Sequence, residues 1–149
     1  VKETDFISNM TDNSFGMLDF IVSEKTKKVL EQFKLPLHSE IQVGIPEFST
    51  TKNYYLLAFP CIPLEQIDYT KSIIIDSFSR ERLKFNSFVE YKNREQKFTE
   101  ISHVSLVEKY DFDILKVRAV GLFFSERLIN YMKKAKMTGL DYLEQTLEL

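Results

Sequence analysis

The sequence predicts an α+β fold, a mixed or largely antiparallel β-sheet packed with two main α-helices, on three observations. Short apolar segments alternate or run unbroken through the middle of the chain, helical spacing follows two serines, and one strand-to-helix junction occurs twice. A chain of 149 residues that is 44% hydrophobic, with 13 Phe and 7 Tyr, can bury about 70% of its unfolded surface without disulfides or metals. Residues 1–149 are therefore read as a single domain. Gly and Pro, 4 of each, are too few for a disordered or low-complexity chain.

The repeated junction reads D-F-I-V-S-E-K at Asp19 to Lys25 and G-L-F-F-S-E-R at Gly121 to Arg127. In each copy four strand-forming residues run into a serine, Ser23 or Ser125, whose hydroxyl can accept from an orphan N–H of the first helical turn. Glu24 and Glu126 follow where the helix dipole favours negative charge. Thr26, Val29, Leu30 and Phe33 then keep helical spacing in the first copy, as do Leu128, Ile129, Met132 and Ala135 in the second. Each helix should bury that stripe. Lys34 stands at the end of the first helix and Lys133, Lys134 and Lys136 crowd the end of the second, and Pro36 and Gly139 are the expected stops.

Between the copies the pattern is mostly β. Ser39 to Ile45 alternates with Ile41, Val43 and Ile45 on one side, while Tyr54 to Phe59 is a continuous apolar run suited to a covered strand. Pro60 and Pro63 bracket Cys61 and end it. Leu64 to Tyr69 suits a helical turn and Ser72 to Asp76 a strand. Leu83, Phe85, Val89 and Tyr91 alternate with polar residues as in a half-buried strand. The polar stretch Lys92 to Lys97 predicts a turn into a strand from Phe98 to Val107, and Phe112 to Val120 leads to the second junction.

With those segments placed, the chain resembles a family of bacterial polymorphic-toxin immunity proteins, small α+β partners encoded beside secreted toxins. Three stretches carry the likeness: D-F-I-V-S-E-K-T-K-K-V-L-E-Q-F-K-L at Asp19 to Leu35, Y-Y-L-L-A-F-P-C-I-P-L-E-Q-I-D-Y-T-K-S at Tyr54 to Ser72, and L-F-F-S-E-R-L-I-N-Y-M-K-K-A-K-M-T-G-L-D-Y at Leu122 to Tyr142. The last is the most specific, a strand, a Ser-Glu pair, a helix and the Gly139-Leu140 end. The resemblance implies a protein that blocks one cognate toxin by direct contact, with no cofactor and no catalysis. A generic protein-interaction module, homo-oligomeric or not, and a small carboxylate enzyme are the alternatives.

The residues bear on those alternatives separately. With 20 Lys+Arg against 22 Asp+Glu, a net charge of −2 and a pI near 5.8, the chain lacks the basic balance of a nucleic-acid binder. One cysteine, Cys61, excludes an intrachain disulfide and a multi-cysteine zinc site. His38 and His103 are the two histidines, so only a Cys61–His dyad could build a thiol nucleophile, and a buried apolar cysteine is the expected reading. No glycine sits in a phosphate-binding loop, and Ser23 and Ser125 lack the G-x-S-x-G context of a nucleophile elbow. No apolar run approaches a membrane span, and Val-Lys-Glu-Thr-Asp at the start does not resemble a signal peptide. A cytoplasmic protein without membrane or nucleic-acid partner is expected.

For contact with a toxin, the sequence offers Glu108 to Asp113, where carboxylates alternate with aromatics. Tyr110 and Phe112 could serve as anchors, and Asp111 and Asp113 could complement a basic cleft. Tyr91 and Arg94, in the turn that follows the predicted strand, form a second candidate surface, because both residue types are enriched among interface hot spots.

Overall fold

A computed structural model describes residues 4–8, 20–44, 53–140 and 146–148. In chain order the elements are β1 (Phe6–Ser8), β2 (Phe20–Ser23), α1 (Glu24–Leu30), β3 (Ser39–Val43), β4 (Tyr54–Ala58), β5 (Cys61–Ile62), a 3-10 turn (Leu64–Gln66), β6 (Ile73–Asp76), β7 (Arg82–Leu83), α2 (Phe88–Lys92), β8 (Thr99–Ser105), β9 (Ile114–Val117), β10 (Gly121–Phe124), α3 (Glu126–Lys134) and β11 (Thr146–Glu148). The fold class is α+β. The described residues group into two compact units, and neither is continuous in sequence. The first draws on Val1–Cys61, Asp111–Lys116 and Gly121–Tyr142, the second on Ile62–Tyr110, Val117–Val120 and Leu143–Leu149.

In the first unit β1, β2, β4 and β3 lie side by side in that order, every pair antiparallel. Both predicted junctions form. Ser23 and Ser125 have extended backbones, and each hydroxyl accepts from the amide three residues on, Thr26 at 3.3 Å and Leu128 at 3.2 Å. The helices present Val29 and Leu30, and Leu128 and Met132, to the interior, with Ile129 half-buried. Leu30, Leu128 and Met132 join Phe6, Phe20, Val22, Leu57, Phe59 and Ile114 in one core. Phe20 is its aromatic centre, with ring centroids 5.6 Å from Phe6, 5.6 Å from Phe59 and 6.0 Å from Phe124.

Neither helix ends where the sequence predicts. α1 stops at Leu30, well before Pro36, and Phe33 lies in a turn whose amide donates to the Leu30 carbonyl at 2.9 Å. α3 closes on Lys136, left-handed at φ 50°, with the Met137 amide reaching back to the Met132 carbonyl at 3.1 Å. Gly139 has another task. At its φ of +92° a Cβ would stand 2.1 Å from the Phe6 carbonyl oxygen, so the glycine admits the backbone of β1. β3 differs too. It is an edge strand with Ile41 56% exposed rather than facing the core, and Ile45 lies outside the described residues.

In the second unit β11, β8, β6 and β7 lie in that order, with β11 parallel to β8 and the other pairs antiparallel. Ile74, Ile101, Val104 and Leu106 are buried along with Ile67, Tyr69 and Tyr91. The amide of Arg118 donates to the Ile62 carbonyl at 2.9 Å. The alternation from Leu83 to Tyr91 resolves into only two strand residues and then α2, a third helix. Ser87 caps α2 by accepting from the Glu90 amide at 3.2 Å, and the Glu90 carboxylate accepts from the Asn86 amide at 2.7 Å. This is close to a capping box, and Ser87-Phe88-Val89-Glu90 spells its signature. The local cap outweighs the two-residue period because the segment is too short for that period to build a strand.

Two substitutions separate the buried stripe from the exposed edge. Leu128→Ala is expected to cost about 2–5 kcal/mol, and Ile41→Ala no more than about 0.5 kcal/mol, measured by urea unfolding. Equal costs would show that the core has been misplaced.

Candidate functional site

The acidic–aromatic segment divides: Glu108, Lys109 and Asp111 are exposed, Tyr110 and Phe112 half-buried, and Asp113 buried. Asp113 is only 2% exposed. Its carboxylate accepts from the Lys34 amide at 2.7 Å, the Ser125 hydroxyl at 2.5 Å, and Arg127 through Nε at 2.6 Å and Nη2 at 2.5 Å. A carboxylate with that many donors is satisfied within the fold. Arg127 above all, with the Ser125 hydroxyl and the Lys34 amide, holds its pKa down at about 2, against burial, which works the other way.

Its neighbours divide. Phe112 is half-buried beneath the Lys34 ammonium, 5.9 Å from the ring centroid, and the same ammonium pairs with Asp111, which is exposed. Tyr110 is half-buried, and burial together with Glu108 pushes its phenol up. Tyr91 and Arg94 come together, but as internal structure. Tyr91 is 8% exposed, its ring tilted against Tyr69 with centroids 5.0 Å apart, and the Arg94 guanidinium lies 4.0 Å over the Tyr91 ring while donating to the Tyr91 carbonyl at 2.8 Å. Of the residues singled out for contact, Asp111 alone is fully at the surface.

The structure offers a different surface in the second unit. Phe78, 78% exposed, and Phe98, 62% exposed, meet edge to face with centroids 5.3 Å apart. Phe78 lies in the turn between β6 and β7, and Phe98 immediately precedes β8. Asp76 builds the turn by accepting from the Phe78 and Ser79 amides, each at 2.8 Å, and its own amide donates to the Glu81 carbonyl at 2.9 Å. Those N–H groups hold the Asp76 carboxyl below the ordinary range. Arg80 takes a left-handed backbone at φ 62°, and its guanidinium bonds Glu100 at 2.8 Å. The Ser77 amide ties the turn to the Phe98 carbonyl at 3.0 Å. Two apolar rings are thus fixed in water by polar bonds beneath them.

No protein-family model, curated protein or solved structure matches this chain.

What the surface can do chemically follows from the residues present. Among the described residues no group of three His, Cys, Asp or Glu side chains is placed to hold a metal ion, and no helix is long and apolar enough to cross a membrane. Cys61 is exposed, not the buried apolar residue that its strand suggests. The Phe78–Phe98 pair escapes sequence reasoning because each phenylalanine sits alone in a polar stretch. The available signal was Asp76-Ser77-Phe78-Ser79, a turn-forming aspartate with an apolar residue at the tip.

Acid should read out the Asp113 network. With the folded carboxyl at about 2 and an unfolded aspartate near 4, its stabilisation is complete above about pH 4. It fades as the pH falls toward 2, on the order of 2 kcal/mol in all. Asp113→Asn is expected to lower stability at neutral pH and to flatten the stability profile across that interval. An Asn variant that keeps the wild-type slope there would assign the acid sensitivity to another group.

Proposed function

We propose that this protein neutralises a cognate bacterial toxin by direct protein–protein binding, as an immunity protein, without cofactor or catalysis of its own. The observation that carries the binding part is the exposed Phe78–Phe98 pair, whose rings pack on each other edge to face. An aromatic anchor ordered before contact loses little conformational freedom on binding, and central aromatics supply a large share of interface energy. The toxin as partner class is supported by the resemblance in the three stretches from Asp19 to Leu35, Tyr54 to Ser72 and Leu122 to Tyr142. Asp111 adds an exposed carboxylate suited to steering a basic partner. Action in the cytoplasm, with no nucleic-acid or membrane partner, belongs to the same proposal.

A generic interaction module is the second reading, because the same aromatic pair would serve any protein partner. The two are separated by the product of a toxin gene adjacent to this one. The chain is expected to bind that toxin domain at near-equal molar ratio and to abolish its activity. The double variant Phe78→Ala, Phe98→Ala should weaken binding by about 2 kcal/mol or more, roughly 30-fold, while unfolding close to the wild type. Asp111→Asn should slow association and reduce its salt dependence. Binding and protection unchanged in the double variant would move the contact elsewhere, and failure of the wild type to bind or protect would remove the immunity reading.

A further inference from the structure

Sequence similarity between the two serine junctions extends, in three dimensions, to a set of contacts that the sequence does not announce. The first half runs from Asp5 through β1, β2, Ser23 and α1 to Lys34. The second runs from Asp113 through β9, β10, Ser125 and α3 to Thr138. In each, an aspartate opens the first strand, and the cap serine closes back on it. The Ser23 amide donates to the Asp5 carbonyl at 3.0 Å and the Ser125 amide to the Asp113 carbonyl at 2.8 Å. The Ser23 hydroxyl reaches Asp5 Oδ1 at 3.2 Å and the Ser125 hydroxyl Asp113 Oδ1 at 2.5 Å. The cap serines share backbone angles, φ −66° and ψ 158° against φ −63° and ψ 150°. Two residues beyond each cap a cation faces the same aspartate, Lys25 at 4.0 Å in the first half and Arg127 at 2.5 Å in the second.

The remaining oxygen of each aspartate crosses to the other half. Asp113 Oδ2 accepts from the Lys34 amide, beyond α1, at 2.7 Å, and the Asp113 amide returns a bond to the Lys34 carbonyl at 2.7 Å. Asp5 Oδ2 accepts from the Thr138 amide, beyond α3, at 3.1 Å, and the Phe6 amide returns a bond to the Thr138 carbonyl at 3.0 Å. One junction matching another is ordinary strand–helix grammar. Matching cap, backbone closure, cation and reciprocal crossing together are not, because the crossing bonds are fixed by tertiary placement rather than by local sequence preference.

We propose that the first unit is a duplicated half closed by two reciprocal carboxylate clasps, Asp5 pinning the exit of α3 and Asp113 the exit of α1. Each helix closes its own last turn, but the segment that follows it is tied to the other half, so the two halves secure one another. Lys25 and Arg127 occupy one position in the duplicated plan. The first half carries the weaker version of the clasp because an ammonium offers its aspartate a point charge where guanidinium offers two parallel donors.

Amide hydrogen exchange on the full chain tests the crossing. Asp113→Asn is expected to accelerate exchange at the Lys34 amide, and Asp5→Asn at the Thr138 amide, each on the order of tenfold or more, the loss expected when a charged acceptor is removed. Exchange at Lys34 or at Thr138 that does not respond to its own aspartate overturns the reciprocal clasp. Should Asp113→Asn not fold, Arg127→Lys gives the same readout in milder form, with faster exchange at Lys34 expected and unchanged exchange counting against the clasp. The equivalence of the halves is tested by gain. Lys25→Arg should raise the thermal midpoint by about 2 °C and slow exchange at Thr138, whereas Lys28→Arg, which faces Glu24 instead, should do neither. Identical behaviour of Lys25→Arg and Lys28→Arg overturns the equivalence.

Discussion

The charge of Asp113 governs the first unit. A carboxylate this deeply buried is costly unless donors replace the water it has lost, and the donors come from three separate places in the chain: the segment after α1, the cap of α3, and the first turn of α3. Meeting that requirement fixes where β9 begins, how α3 enters and where the segment after α1 must pass. The hydrophobic core around Phe20 then fills a frame whose polar corners are already set. Apolar packing supplies the larger share of stability, yet it is non-directional. The carboxylate is what makes one arrangement of the two helices better than its neighbours.

Much of this architecture was legible before the structure, and the parts that were not fail for identifiable reasons. Ser23 and Ser125 could be read as caps because capping depends on a few adjacent residues. Val29, Leu30, Leu128 and Met132 could be read as core because helical spacing survives in any tertiary context. Helix ends were read too late, since Pro36 and Gly139 are reliable only as stops that have not been pre-empted by an earlier turn. The segment through Val89 and Tyr91 misled because alternation and a capping box compete over the same few residues, and hydrogen bonds to Ser87 and Glu90 decide the outcome locally. Ile41 misled because an edge strand can keep a strand pattern while burying neither face.

The candidate contact surface was the least legible part. Residue type suggested Tyr91, Arg94, Tyr110, Phe112 and Asp113, but the same properties that make aromatics and arginine good anchors also make them good internal struts. Arg94 over Tyr91 and Arg127 on Asp113 spend that capacity inside the fold. Phe78 and Phe98 contribute little to the interior and remain outside, Phe78 on a turn built by Asp76 and Phe98 at the entry to β8. Among the described residues the other phenylalanines and tyrosines are buried or half-buried except Tyr131, and the two rings left in water bear a solubility penalty that a partner covering them would relieve.

The seat that Gly139 provides for Phe6 bears on how the first unit folds. Asp5 and Phe6 lie far in sequence from Thr138 and Gly139, and the Asp5 amide meets the Thr138 hydroxyl across 133 positions. Strand β1 can pair with β2 early, but its outer support waits for the segment that follows α3. Long-range closure of this kind slows folding and leaves incomplete chains with unsatisfied edges. Until the segment at Thr138 and Gly139 docks, the amide of Phe6 lacks the carbonyl that accepts from it.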